Sequence, residues 1–388
     1  MRLLTTTAVF AAMIVSPALN PAFAQDMSAQ TVEGTDGSSV EITPLETFDA
    51  AWAMTFLPDG TGVVTEKSGD IWRIDRNGKK TGRINNAPKV VERGQGGMGD
   101  FIVAPDFAET GTVYLSYVER DAKNDQLSGA VVERATLNMS GSGGQLSERE
   151  IIWTQSPKVM GNGHYGHRLT ISPDNAEMGA GYLVISSGER QKFTPAQNMD
   201  MNLGKMIRIN TDGSVPEDNP FFGQGGVTEE IWSLGHRNPL GIDFDADGVL
   251  WEHEMGPRHG DELNRIVRGE NYGYPVVSNG DHYSGKKIPD HADFPIYEKP
   301  AEWWDPAISP AGFVIYKNDR MPDFTGNGFI GGLSSQALVR VGFDEDGVEE
   351  LGRYEWDARI REVEEGPDGF LYVLEDGEDG RLLRVVAK

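Results

Sequence analysis

The chain has 388 residues, 60 acidic against 35 basic, and a formal charge of −25 at pH 7. A field of that sign repels nucleic acid and anionic lipid, so neither is an expected partner. There is no cysteine, which excludes a disulfide framework and a thiolate metal site; with 38% hydrophobic and 9% aromatic residues the chain folds on a packed core instead.

The chain opens MRLLTTTAVFAAMIVSPALNPAFAQ: a basic Arg2, an apolar run, and the small-x-small site Ala22-Phe23-Ala24 before Gln25. This pattern predicts a signal peptide over residues 1–24, leaving residues 25–388 as an exported domain, periplasmic or secreted. The apolar run is short and interrupted by Pro17 and Pro21, so no membrane insertion is expected.

Beyond the leader, short alternating strands and turn residues dominate, with no long helical period. One unit recurs: an apolar strand, Pro-Asp-Gly or a relative, and a second apolar strand. It is MTFLPDGTGVVTE around Asp59, FIVAPDFAETGTVYLSYV around Asp106 and LTISPDNAEMGAGYLVISS around Asp174. It returns as IDFDADGVLWEHE around Asp247, in looser form around Asp323, and as VEEGPDGFLYVLED around Asp368. A lone hairpin cannot bury both faces of its sheet, and radial repetition of small sheets solves this with few open edges. Six copies predict an all-β, six-bladed β-propeller in one domain. Two stretches fall outside the repeat. Asn138 to Glu150, NMSGSGGQLSERE, reads as a polar loop. Residues 274–304 read as a long insertion whose Tyr274, Tyr283, Tyr297, Trp303 and Trp304 suit an ordered cover over a pocket.

In chain order the chemistry-bearing positions are as follows. Gln95 lies in ERGQGGMGDF, where glycines allow close backbone approach and the amide can bind a hydroxyl; the same residues fit an ordinary Gly-rich turn. His164 in GNGHYGHRLTISPD stands at a loop–strand junction suited to a general base, with His167 and Arg168 close enough that spacing does not choose between the histidines. Leu234 to Asn264 carries most. There His236-Arg237-Asn238 precedes a hairpin that ends in Met255-Gly256-Pro257. Arg237 offers a planar fork for a carboxylate, with Asn238 beside it, and the Gly256-Pro257 kink can turn carbonyls toward a hard cation such as calcium. Together they point to an anionic, metal-chelating cofactor; singly, each also fits a surface ion pair or a plain turn. Arg359 and Arg361 in ARIREVEEGPDG share a face by alternation, and their like charges, if buried, call for an anion between them. Gln95, His164, Arg237 and the arginine pair all precede the Asp turn of their repeats. Equivalent positions in a propeller converge on one end of the channel.

These residues resemble those of the soluble aldose sugar dehydrogenases, relatives of soluble PQQ-dependent glucose dehydrogenase. The matching runs are GQGGMGDFIVAPDF, GHYGHRLTISPD, LGKMIRINTDGSVPEDNPF, IWSLGHRNPLGIDFD, HEMGPRHGDELN, NYGYP, WWDPAISPAGFVIY and ARIREVEEGPDG, across nearly the whole exported chain. The resemblance implies a six-bladed propeller with pyrroloquinoline quinone (PQQ) and Ca2+ at the channel mouth. It implies that His164 takes the proton from the sugar C1 hydroxyl while hydride passes to the quinone. Gln95, Arg237 and Asn238 would contact cofactor and substrate, and Arg359 and Arg361 would hold the cofactor carboxylates. Carbonyls of Gly256 and Pro257 would bind the calcium that polarises the quinone, and Glu262 and Tyr272 would bind a second, structural calcium. Electrons would leave to a separate acceptor, a cytochrome or quinone, since no haem motif or Cys ligand is present.

Several positions depart from the family pattern. Gly163 stands where an aspartate flanks the base, leaving the group that orients His164 open. His167 replaces a glycine and either narrows the pocket or offers a second base. Glu189 and Arg190 stand in a Gly-Asp-Arg/Gln run, Ser334 in place of a cofactor-binding lysine, and Ala307 in place of Ser or Thr. The last two remove contacts worth roughly 1.5–3 kcal/mol each. Two other functions fit the same architecture: a calcium-dependent sugar lactonase, and a non-catalytic propeller binding a sugar or protein at its mouth.

Overall fold

The computed structural model describes residues 27–344 and 347–388; the leader expected over residues 1–24 lies outside them. Among the described residues the strands form six blades around a central channel. Their innermost strands are Ala51–Phe56, Met98–Val103, Gly166–Ile171, Pro239–Phe244, Pro310–Ile315 and Ile360–Glu365, each packed against the next, and the last against the first. All six recurring Asp turns lie between the first and second strands of a blade. Asp59 shows the chemistry: its Oδ1 accepts from Thr61 N at 2.9 Å and Thr61 Oγ1 at 2.6 Å, closing the turn locally.

Burial follows from radial packing. Each of the six apolar clusters is shared by two consecutive blades. Leu57, Val63 and Ile71 of the first blade meet Phe101, Leu115 and Val131 of the second, for example. No blade buries its faces alone, so the ring must close. Closure is by the N-terminal strand Ser39–Phe48, which pairs antiparallel with the C-terminal Gly380–Ala387 from Val40↔Ala387 to Phe48↔Gly380. The sixth blade therefore holds the first and last strands of the described residues, with Gln30–Glu33 as an added outer strand.

Asn138 to Glu150 is not a loop. Ser128–Ser140 and Gly143–Thr154 are long antiparallel strands joined at a left-handed Gly141, and the second also pairs in parallel with Lys80–Asn85, at Gly144↔Ile84 and Gln145↔Asn85. The first two blades thereby share one eight-stranded sheet. The sequence misleads because these strands lie at the outer rim: Leu137 and Leu146 are buried, while the Asn, Ser and Gln side chains between them face water. The 274–304 segment is largely irregular, with a short 3-10 turn at His291–Asp293. Its end, Glu302–Trp304, returns to the fourth blade as the outer strand, pairing with Asp261–Arg265.

Since closure depends on one strand, Ile42 (fully buried on the closing strand) carries a large share of it. Ile42→Ala should destabilise the protein by about 2–5 kcal/mol, seen as a lowered midpoint in chemical denaturation. Glu41→Ala, one residue away on the wetter face, should change it by less than about 0.5 kcal/mol.

Candidate functional site

Each Asp turn marks the far end of its inner strand, so residues just before that strand gather at the opposite mouth. Gln95, His164, Arg237, Asn238 and Arg359 occupy such positions, and Arg361 follows one residue into its strand. The structure joins them by hydrogen bonds from blade to blade. His164 N donates to Gln95 Oε1 (2.6 Å), and His164 Nδ1 meets Glu189 Oε1 (2.5 Å). Glu189 N donates to the Arg237 carbonyl (2.9 Å), and Arg237 Nη1 to the Met255 carbonyl (2.6 Å).

Glu189 is the orienting group that the Gly163 position left open. Its carboxylate also accepts from Gln191 N (2.9 Å), Lys192 N (2.5 Å) and Phe193 N (2.6 Å), so the loop wraps around its own anion. That wrapping forces Arg190, Gln191 and Phe193 into left-handed backbone, and His164 and His167 share it (φ 50–65°). Non-glycine residues hold this conformation only where surroundings over-determine it. Arg190 is the main restraint: wholly buried and stacked 3.7 Å over Tyr165, it donates to the carbonyls of Gly163 (3.0 Å), Ser128 (2.6 Å) and Gly161 (2.7 Å). Gly188 lets the two loops touch, because a Cβ there would collide with the His164 carbonyl.

Burial pushes the His164 pKa below its usual 6.5, outweighing the hydrogen bond from Glu189 that raises it. Glu189 is also lowered, although burial alone would raise it: His164 and the backbone N–H groups hold it below the ordinary carboxylate value. At neutral pH the pair is an uncharged imidazole on a carboxylate. Nδ1–H faces Glu189, leaving the Nε2 lone pair for a substrate proton. His167 is not a second base. It is buried, stacked on Trp52 (5.0 Å), bonded through Nδ1 to Ser116 Oγ (2.8 Å), and its pKa is pushed down to about 3 by burial. It narrows the mouth, in a space open only because residue 99 lacks a side chain.

Beside His164 the mouth opens into a cavity of about 380 Å³, whose wall includes Trp52, Lys67, Gln95, His167, Asn238 and the arginine pair. That lies within the range of small-ligand sites. Both polar atoms of the Asn238 amide and the Arg237 Nε are buried without a hydrogen-bond partner. Arg237 pairs with no surface acid; its fork ends on a carbonyl, with capacity to spare. Arg359 and Arg361 share one internal anion, Asp376: Arg359 Nε to Oδ2 at 2.8 Å, Arg361 Nη2 to Oδ1 at 2.8 Å. Two guanidiniums on one carboxylate leave a net positive charge facing the cavity. Ser334 and Ala307 meet each other instead of a ligand, Ser334 Oγ donating to the Ala307 carbonyl (3.2 Å).

Gly256, Pro257, Glu262 and Tyr272, expected at two calcium ions, line a single void of about 10 Å³ with Arg237 and Glu254, about the room one water or ion requires. Gly256 is obligatory, because a Cβ would strike the Gly260 carbonyl. Glu254 lies opposite Glu262, and Glu252 opposite Asn264, on adjacent strands. All three carboxylates are buried; burial first, and then mutual repulsion, push Glu252 and Glu262 well upward, while burial raises Glu254 to about 7. His236 supplies no compensating charge: burial drives its pKa to about 3, and its Nδ1 lies unpartnered 3.7 Å from Glu252 and 3.9 Å from Glu254. This is an oxygen-rich site short of positive charge, the donor set a hard divalent cation takes.

The Glucose / Sorbosone dehydrogenase family model matches residues 48–384. The chain belongs to this family. It is 36% identical to the aldose sugar dehydrogenase YliI of Escherichia coli K12 over 343 residues, 87% of this chain and 90% of that relative. It is 31% identical to quinoprotein glucose dehydrogenase B of Acinetobacter calcoaceticus over 256 residues, 60% of this chain and 52% of the relative. The crystal structure of the soluble aldose sugar dehydrogenase of Escherichia coli in its apo form superposes with a TM-score of 0.82 at 34% identity, covering 90% of this chain and 100% of that one. As a glucose/sorbosone dehydrogenase the chain is an oxidoreductase, and the hydrolase and binding-only alternatives fall away.

Sequence reasoning missed Trp52, Lys67, Asp261 and Asp376 in this dehydrogenase. Trp52 lies on the innermost strand of the first blade, Lys67 and Asp376 just follow second strands, and Asp261 begins a third strand within HEMGPRHGDELN, where the neighbouring residues drew the attention. The His164–Glu189 pairing has a direct readout. By NMR titration the His164 imidazole should titrate below pH 6.5, and Glu189→Gln should move it lower still, because the carboxylate is what holds the imidazolium form up.

Proposed function

We propose that this chain oxidises the C1 hydroxyl of aldose sugars to lactones, with PQQ in the mouth cavity and calcium in the void behind it. The observation that carries the reading is His164, its Nδ1 clamped by Glu189, standing next in the chain to Tyr165 and Gly166 in the wall of a cavity that the unpaired Asn238 amide also lines. Bound there, PQQ would accept the hydride from C1, and calcium would make it a better acceptor.

The rest of the chemistry belongs to the protein. Nε2 of His164 takes the C1 hydroxyl proton, and Glu189 stabilises the imidazolium that forms. Gln95 holds the His164 backbone and presents its amide to a sugar hydroxyl. Arg237, Asn238, Arg359 and Arg361 bind the cofactor's carboxylates and carbonyls, with Asp376 spacing the last two. Lys67, at the cavity wall with its ammonium on the Gly94 carbonyl (3.1 Å), adds a further cation. Glu262, Glu254 and the carbonyls of Gly256, Pro257 and Tyr272 hold the cation. Trp52 and His167 close one wall against water. With residues 1–24 read as a leader, the reaction takes place in the periplasm or outside the cell, and a separate cytochrome or quinone removes the electrons.

Titrating the apo-protein with PQQ and calcium should give a bound-quinone spectrum that bleaches on adding glucose, with reduction of an added dye; no binding at micromolar PQQ with calcium present would overturn the reading. His164→Ala should lower kcat by ~10²–10⁴-fold while leaving the PQQ titration unchanged. In the wild type, kcat/KM should stay level through neutral pH and fall only on the acid side of 6.5, since the base must be uncharged and burial lowers its pKa.

A further inference from the structure

Two large aromatic side chains stand exposed at the mouth with no role in the proton transfer. Tyr283 of the 274–304 insertion is 74% exposed and Phe193 of the Glu189 loop is 46% exposed. They belong to a group that straddles Arg237. The Arg237 guanidinium lies 5.9 Å from the ring centres of both Tyr274 and Tyr283. Phe193 packs against Tyr274 (6.5 Å, tilted) and against the edge of His282 (5.5 Å). Tyr274 is buried and anchors the group; Phe193 and Tyr283 present their surfaces to solvent.

The placement is built into the fold. Phe193 N is held by Glu189 Oε2 at 2.6 Å, while the other oxygen of that carboxylate holds His164 at 2.5 Å. One carboxylate therefore spaces an exposed aromatic ring from the catalytic imidazole. Phe193 takes left-handed backbone (φ 63°) to reach this position, a strain that its neighbours must hold in place. Exposing two large rings costs solubility and gives nothing to the core.

Resting on the aldose reading, we propose that Phe193 and Tyr283 form a second sugar subsite, which takes the ring attached to the reacting aldose in a disaccharide or longer oligosaccharide. The apolar C–H faces of a pyranose stack on aromatic rings, while Arg237 and His282 supply donors to its hydroxyls. A neutral, hydroxyl-rich ligand also suits a mouth on a chain of charge −25, which repels acidic partners. The insertion is then a specificity element: it extends the site outward without touching the reacting carbon.

The test compares glucose with maltose on holoenzyme reconstituted with PQQ and calcium, for wild type, Tyr283→Ala and Phe193→Leu. The second variant keeps an apolar side chain and the backbone N–H that binds Glu189. Each should lower kcat/KM for maltose by about 5–10-fold, mainly through KM, and leave glucose within about twofold. Equal losses on both sugars, or no loss on maltose, would overturn the subsite. Calorimetric binding of maltose to the same three proteins separates this from the aldose reading. Wild type that oxidises neither sugar, yet binds maltose in a Phe193- and Tyr283-dependent way, keeps the subsite and sinks the dehydrogenase assignment to aldoses. Maltose binding that ignores both substitutions sinks the subsite alone.

Discussion

The structure depends on a hydrogen-bonded seam that runs around the channel mouth from blade to blade. It passes from Gln95 through His164, Glu189, Arg237 and Met255 to Gly256, whose N–H donates to Asp261 Oδ1 (3.0 Å). Asp261 Oδ2 accepts from Ser309 N (2.7 Å), Leu333 N donates to the Ser309 carbonyl (2.9 Å), and Arg359 Nη1 reaches the Leu333 carbonyl (3.3 Å). From the sixth blade, Ala50 N donates to Gly377 O, Lys67 N to Ala50 O, and Met98 N to Lys67 O, which returns to the second blade. Apolar clusters hold the blades face to face but say little about their rotation. The seam fixes it, because each buried donor left without its partner costs about 1–3 kcal/mol. Since the candidate catalytic residues are links in this seam, their geometry is set before any ligand arrives.

The same mouth separates charge sharply. On one side Glu254 and Glu262 line a small void with Arg237 as their nearby cation, and Glu252 is buried close to Glu254. On the other, Arg359, Arg361 and Lys67 meet a single compensating acid, Asp376. Arg237 and Asn238 stand between, and Arg237 N and Asn238 N both donate to Glu254. A strongly acidic protein can attract an anion only by such local segregation, and a cation in the carboxylate void would strengthen it. The two expected ligands are thus electrostatically interdependent through two adjacent residues.

Around His164 the backbone is strained where the chemistry needs a fixed imidazole. The Glu189 carboxylate organises its own loop through three N–H groups, and Arg190 ties that loop to the carbonyls of Gly161 and Gly163 and, on the second blade, of Ser128. Glu189 thus orients the base with Gly163 in place of the family's adjacent aspartate.

The sequence by itself determined the blade number, because the strand–turn–strand signal is local and repeats visibly six times. It also determined that Gln95, His164, Arg237, Asn238, Arg359 and Arg361 share a mouth, since position relative to the turn fixes which end of an inner strand a residue occupies. Tertiary structure alone decided what each meets. Glu189 reaches His164 from 25 residues away, Asp376 sits between the two arginines and compensates only part of their charge, and four residues expected at two ions line one void. The outer strands around Asn138 to Glu150 read as loop because a blade's edge is half wet and loses the alternation that marks a strand. Periodicity records burial on one face; partners across blades leave no trace in spacing, since the ring brings them together only when it closes.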